Sequence, residues 1–129
     1  MQIWDNSKCS KFAITINQAN NLPCRSESKY SFITGRVIFD EQGVKTFETI
    51  SVPLESNNNP VWNETFVFDN MNEQMEDINL EICLYDAKTE EDKVQSDLNF
   101  VGMLILPLSE ANLEDEPRWY ELRVKFFFI

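Results

Sequence analysis

The side chains with the most evident chemical capacity lie between Asp86 and Asn99, in the run DAKTEEDKVQSDLN. Asp86, Glu90, Glu91, Asp92 and Asp97 crowd carboxylates into one short polar segment, and Glu27 adds another from an earlier one. A hard cation such as Ca²⁺ takes six to eight oxygen ligands, so carboxylates grouped on loops are what that ion requires. A run such as TEEDK is also what a solvated acidic loop looks like, here with Lys88 and Lys93 set among the acids. Other chemistries lack their residues. With no histidine in the chain, the commonest general acid–base group is missing. No Gly-rich phosphate loop, nucleophile elbow or paired Cys-x-x-Cys set occurs either. An enzyme is therefore not expected. Cys9, Cys24 and Cys83 are odd in number and lack metal-ligand spacing, which predicts free thiols in a reducing compartment.

Charge narrows the partners. Twenty-two acids against 11 bases give a net charge of −11, which argues against nucleic acid and against direct adhesion to anionic lipid unless a cation intervenes. The hydrophobic share of 43% with ten Phe supports one folded core, and 129 residues suit a single domain. No apolar run approaches the roughly 20 residues that span a bilayer. The opening MQIWDNSKCSK has no apolar stretch of the kind a secretory signal needs, so a cytoplasmic location is expected.

The elements that must position the acidic segment read as strands. Asn57–Pro60 cannot continue a strand, because Asn competes for its own backbone and Pro60 has no N–H. Val61–Phe68 then alternates, with Trp62, Glu64, Phe66 and Phe68 on one side. Before it, Lys11–Asn17 alternates around Phe12, Ile14 and Ile16, and Tyr30–Phe39 forms a longer strand whose inner face is ambiguous and where Gly35 suggests a bulge. Asp40-Glu41-Gln42-Gly43 reads as a hairpin into a β-prone stretch, Val44–Val52. Asp69–Asp77 is an acidic connection with one short helical turn. Ile78, Leu80, Ile82 and Leu84 make the clearest alternating set. Phe100–Leu106 is a continuous apolar strand closed by Pro107, and Trp119–Leu122 and Val124–Ile129 complete the set. About eight short strands with turn signals between them and no strong helix predict an all-β, eight-stranded antiparallel sandwich.

Several of these landmarks, in this order, resemble the C2 domain family. The stretch FAITINQANNLPCRSESKYSF, residues 12–32, resembles the family's opening strand with its A-x-x-L turn. NPVWNETFVF resembles its central motif, and INLEICLYD the strand that delivers an acid into the third loop. Asn99-Phe100-Val101-Gly102 resembles the D-F-I-G closure of that loop, and Trp119-Tyr120-Glu121-Leu122 the W-x-x-L strand. The resemblance implies a Greek-key sandwich spanning residues 11–129, with 1–10 as a flank. It also implies the circularly permuted, type II strand order, since the chain looks as if it starts at the A-x-x-L strand.

In the family, two or three Ca²⁺ ions lie between loops held by about five aspartates, and the cations then attract phospholipid headgroups. Carried over position by position, most of these ligands are replaced. Ser28 stands before the Lys29-Tyr30 pair, and Cys24 or Arg25 stands where an earlier Asp belongs. Lys88 stands two residues after Asp86, and Asn99 closes the loop. Only Asp86 remains. No cofactor is therefore expected, and any metal site would be a weak one at Asp86, Asp92, Asp97 and Asn99. The family's basic strand face is reduced here to Arg36 and Lys45 among acids. The function implied is a non-catalytic, Ca²⁺-independent targeting module that docks a protein partner or its own copy in a membrane-associated or cytoskeletal assembly. The alternative is a Ca²⁺-dependent phospholipid binder using a rebuilt acidic third loop. Candidate contact residues are Pro23, Arg25, Val94, Leu98 and Phe127.

Overall fold

The structure, a computed structural model, describes residues 1–6, 11–20, 22, 29–54, 59–69, 75–96, 98–110 and 117–123. Among them are eight strands, β1 (Gln2–Asn6), β2 (Lys11–Gln18), β3 (Tyr30–Phe39), β4 (Gly43–Glu48), β5 (Val52–Pro53), β6 (Val61–Asp69), β7 (Ile78–Ala87) and β8 (Phe100–Pro107). A three-stranded sheet runs β1-β2-β6, and a five-stranded sheet runs β4-β3-β7-β8 with β5 paired to β3. Every pairing is antiparallel.

The two sheets meet through the residues that alternation places inward. Phe12, Ile14 and Ile16 of β2 and Trp62 and Phe68 of β6 are buried against Ile33, Val37 and Phe39 of β3 and Ile78, Leu80, Ile82 and Leu84 of β7. Phe47 joins the layers directly, with its ring 4.6 Å from that of Phe66 and 5.7 Å from that of Phe68. Burying such rings contributes about 1.5–3 kcal/mol each, and ring pairs at these spacings add to it.

Gly35 is explained by that contact. It does not mark a bulge, since the register from Thr34 to Phe39 is unbroken on both sides. A Cβ at Gly35 would lie 2.0 Å from the Phe47 ring, so the missing side chain is the space that ring occupies. The irregularities fall elsewhere, at Ile16/Gln18 in β2 and at Leu84/Tyr85 between β7 and β8. Gly43 takes φ 94° in the β3–β4 hairpin, which a residue without Cβ adopts freely.

Three strand assignments differ from the sequence pattern. Gln2–Asn6 is a strand paired with β2 along its length, and Ile3 is in the core, so these residues are not a flank. A strand therefore precedes the A-x-x-L strand, and the permuted order, which rested on that strand coming first, is corrected. Val44–Val52 divides into β4 and β5, because Thr49 leaves the β4 line and turns back to β3. Its N–H donates to the Ile33 carbonyl at 2.8 Å, and its Oγ1 accepts from the Ile33 N–H at 2.8 Å. Trp119–Leu122 is not a strand. Its neighbour Arg123 makes a single bridge with Met103 of β8, while Arg118 exchanges backbone hydrogen bonds with Met1. This segment thus crosses from the β1 edge to the β8 edge and closes one side of the sandwich. Cys9, Cys24 and the predicted strand Val124–Ile129 lie outside the described residues.

Candidate functional site

β7 and β8 carry the ends of the acidic segment, and their register brings Asp86 and Asn99 together. The Asp86 N–H donates to the Asn99 carbonyl at 2.9 Å. Asn99 then closes the loop with its side chain. Its Oδ1 accepts from the Ser96 N–H at 3.0 Å and from the Ser96 hydroxyl at 2.8 Å. Its Nδ2 donates to the Asp86 carbonyl at 3.0 Å and to the Val94 carbonyl. An amide offers two donors and one oxygen with two lone pairs, so every position of this one is engaged within the loop. A carboxylate at residue 99 could supply only the accepting half.

The rest of the loop is held down by a cation. Lys93 Nζ donates to the Thr49 carbonyl at 2.7 Å, lies 3.8 Å from Glu48 Oε1 and sits 4.7 Å above the Phe32 ring. Phe32 is on the outward side of β3, yet it is fully buried. It stacks on Tyr85 at 5.5 Å, and Phe100 meets Tyr85 edge-on at 5.8 Å. The loop therefore folds back over one end of the five-stranded sheet and covers a second, smaller aromatic cluster. This settles why β3 has no clear inner face in its sequence: both faces are covered at that end.

The predicted residues that are described lie on the β7–β8 loop and its two ends, and no metal-holding group forms among them. Asp86 is 8% exposed at the end of β7. Asp92 is half-buried and accepts from the Val94 N–H at 3.1 Å, capping a local turn. Val94 and Leu98 project from the loop, 59% and 91% exposed. Pro23, Arg25, Asp97 and Phe127 lie outside the described residues. Among the described residues, no three His, Cys, Asp or Glu side chains are grouped so as to hold a metal ion. On the outer face of the five-stranded sheet, Arg36 lies 3.5 Å from Glu81 of β7, which offsets its charge. Next to that pair, burial, and then the charge of Glu81, raise the Cys83 pKa above the ordinary thiol value, with a hydrogen bond from Tyr85 and the charge of Arg36 opposing. Sequence reasoning missed Lys93, Thr49 and Phe32. The available signals were a second base, Lys93, inside an acidic run and an aromatic residue at each of Phe32, Tyr85 and Phe100.

A family model, C2 domain, matches residues 10–122. The chain belongs to the C2 domain family. Across 95% of its length it is 26% identical to human "Regulating synaptic membrane exocytosis protein 2", of which it spans 9%, and 27% identical to human "Protein piccolo", of which it spans 2%. The crystal structure of a C2 domain of RIM2 superposes with a TM-score of 0.72 at 25% identity, covering 95% of this chain and 93% of that one. The chain thus corresponds to one C2 domain and to less than a tenth of those relatives. Within the C2 frame, the loop between β7 and β8 is the third loop, and its contents are an amide latch and a docked lysine.

Proposed function

We propose that this C2 domain is a Ca²⁺-independent, non-catalytic docking module that binds a protein partner within a membrane-associated assembly. The observation that carries the reading is Asn99. At the position where the family resemblance expects an aspartate ligand, a neutral amide spends both of its donors and both of its lone pairs on the loop itself. Removing that oxygen from the loop to bind a cation would leave two Ser96 donors unpaired. Lys88, exposed on the same loop, adds a positive charge two residues after Asp86, where a cation would have to displace it or tolerate repulsion.

The relatives support the setting. One is named for regulating synaptic membrane exocytosis, which fits a cytoplasmic domain working at a membrane. Direct adhesion to anionic lipid is disfavoured by the charge of −11, since each nearby base contributes only about 1 kcal/mol of such attraction and Arg36 is matched by Glu81. No general base of the usual kind exists, which supports a binding rather than a catalytic role.

Thermal unfolding in excess EDTA and in millimolar Ca²⁺ tests the reading. A cation bound only by the folded state at a hundredfold excess over its dissociation constant adds about 2.7 kcal/mol of stability. The expected result is an unchanged midpoint, together with no cosedimentation with phosphatidylserine vesicles in either condition. A midpoint that rises with Ca²⁺ and falls back in Asp86→Ala overturns the proposal in favour of Ca²⁺-dependent lipid binding.

A further inference from the structure

Thr89 is the one serine or threonine of the chain with a carboxylate three residues further on, and carboxylates also fill the two positions between, in Thr89-Glu90-Glu91-Asp92. The β7–β8 loop holds this run out from the sandwich between two fixed ends. At one end Ala87 is buried, and its carbonyl accepts from the Lys29 N–H at 3.0 Å. At the other, Lys93 is docked on the Thr49 carbonyl. Residues 88–91 between them are all exposed, and the Asp92 N–H closes them into a turn by donating to the Thr89 carbonyl at 3.3 Å. Among the described residues the Thr89 hydroxyl has no hydrogen-bond partner. Several other hydroxyls are engaged. Ser31 is buried and donates to the Tyr85 carbonyl, Ser96 bonds Asn99, and Thr15 and Thr65 satisfy one another at 2.9 Å.

We propose that Thr89 is a phosphorylation site for a serine/threonine kinase whose substrate groove is basic. In the step, the Thr89 oxygen bonds to the γ-phosphorus of ATP while the bond from that phosphorus to the departing ADP breaks, and the hydroxyl proton passes to the kinase's catalytic carboxylate. Kinases select their substrates in part by the pattern of charge around the acceptor. Three carboxylates directly after an exposed hydroxyl complement a basic groove, and the chain's charge of −11 steers such an enzyme towards it. Lys93 does not offset them, because its ammonium is turned onto Glu48, Thr49 and the Phe32 ring. Access fits as well. Straightening residues 89–92 to enter a cleft breaks the 3.3 Å bond that closes the turn. The Asn99 latch, which holds Val94 and Ser96, lies beyond that turn and stays shut.

The modification adds about −1.5 to −2 charge units and three acceptor oxygens at neutral pH. It adds them to a hydroxyl on which no described contact depends, so the fold should survive and only the tip of the loop changes what it presents. This inference goes beyond the docking reading and does not depend on it.

Incubation of the intact 129-residue chain with ATP, Mg²⁺ and casein kinase 2, as the acidic-directed probe, tests it. The expected result by intact mass is one phosphoryl group per chain, assigned to Thr89 by fragmentation, absent in Thr89→Ala, and without effect on the unfolding midpoint. Asp92→Asn keeps the oxygen that accepts from the Val94 N–H and removes only the charge, so transfer should slow by about tenfold or more. Should Asp92→Asn loosen the fold, Glu90→Gln combined with Glu91→Gln replaces it with the same expectation. No transfer to the folded chain overturns the proposal, as does transfer assigned to another hydroxyl. Transfer to Thr89 at an unchanged rate after loss of these charges overturns it too. None of these outcomes depends on Ca²⁺, so they stand apart from the metal test above.

Discussion

Replacing Asn99 by Asp restores the residue type that the C2 resemblance expects at this position, and the structure says that doing so should harm the domain. The amide nitrogen donates to the carbonyls of Asp86 and Val94. A carboxylate oxygen in its place donates to neither and faces both carbonyl oxygens. Each lost hydrogen bond costs about 1 kcal/mol, and a carbonyl left without its donor costs more where water cannot reach it. The loop is partly solvated, so about 2–3 kcal/mol is expected in total. Unfolding entropy of about 2.1 cal/mol/K per residue over 129 residues converts this into a fall in midpoint of roughly 7–11 °C. The two bonds accepted from Ser96 survive, so Asn99→Ala, which removes all four, should be at least as damaging. Differential scanning calorimetry in EDTA gives the first number, and repetition in millimolar Ca²⁺ gives the second. The new carboxylate should not rescue stability when Ca²⁺ is added, because one of its oxygens remains committed to Ser96 and, among the described residues, no group of carboxylates stands ready to complete a metal site with the other. Asn99→Asp as stable as the unaltered domain would refute the latch. Stability regained with Ca²⁺ would refute the claim that the loop is closed to a cation.

Other outcomes follow from the same geometry. Lys93→Met removes a charged hydrogen bond to the Thr49 carbonyl and a cation above Phe32, and about 2 kcal/mol should be lost in urea unfolding, with faster amide exchange in residues 88–99. Gly35→Ala must displace the Phe47 ring, so a loss of about 3 kcal/mol or more is expected, with a changed near-ultraviolet circular dichroism signal. Arg36→Gln breaks only an exposed pair with Glu81 and should alter stability by less than about 0.5 kcal/mol. The raised pKa of Cys83 means that its thiol ionises more readily once the chain unfolds. The unfolded state then holds fewer protons above the ordinary thiol pKa of about 8.5, so stability should fall as pH rises beyond it. Cys83→Ala should remove that part of the slope, measured as urea unfolding at pH 7.5 and pH 9.5.

Much of this fold is legible in the linear sequence because strands pack by alternation, a local property. Val61–Phe68 and Ile78–Leu84 show their faces in the order of their residues, and the bounds of these two and of Tyr30–Phe39 agree with β6, β7 and β3 to within a few positions. The family is legible for a related reason: NPVWNETFVF and INLEICLYD combine turn chemistry with a strand pattern inside single short stretches. The loss of expected Ca²⁺ ligands at Lys88 and Asn99 is equally a matter of residue identity.

The tertiary structure decided what depends on residues far apart in the chain. Gln2–Asn6 is too short and too polar to announce itself, and it becomes a strand because β2 offers a free edge and Ile3 a place in the core. Trp119–Leu122 has a strand's composition, yet its neighbours Arg118 and Arg123 are claimed by Met1 and Met103 at opposite sheet edges. Gly35 looks like a bulge until Phe47 is seen to need its space. Lys93 looks like one more solvated charge until the loop folds and sets it against Thr49 and Phe32, residues more than forty positions earlier. Residue types fixed which contacts each segment could make. Only the closing of the two sheets, which brings distant segments within bonding distance, determined which of those contacts were made.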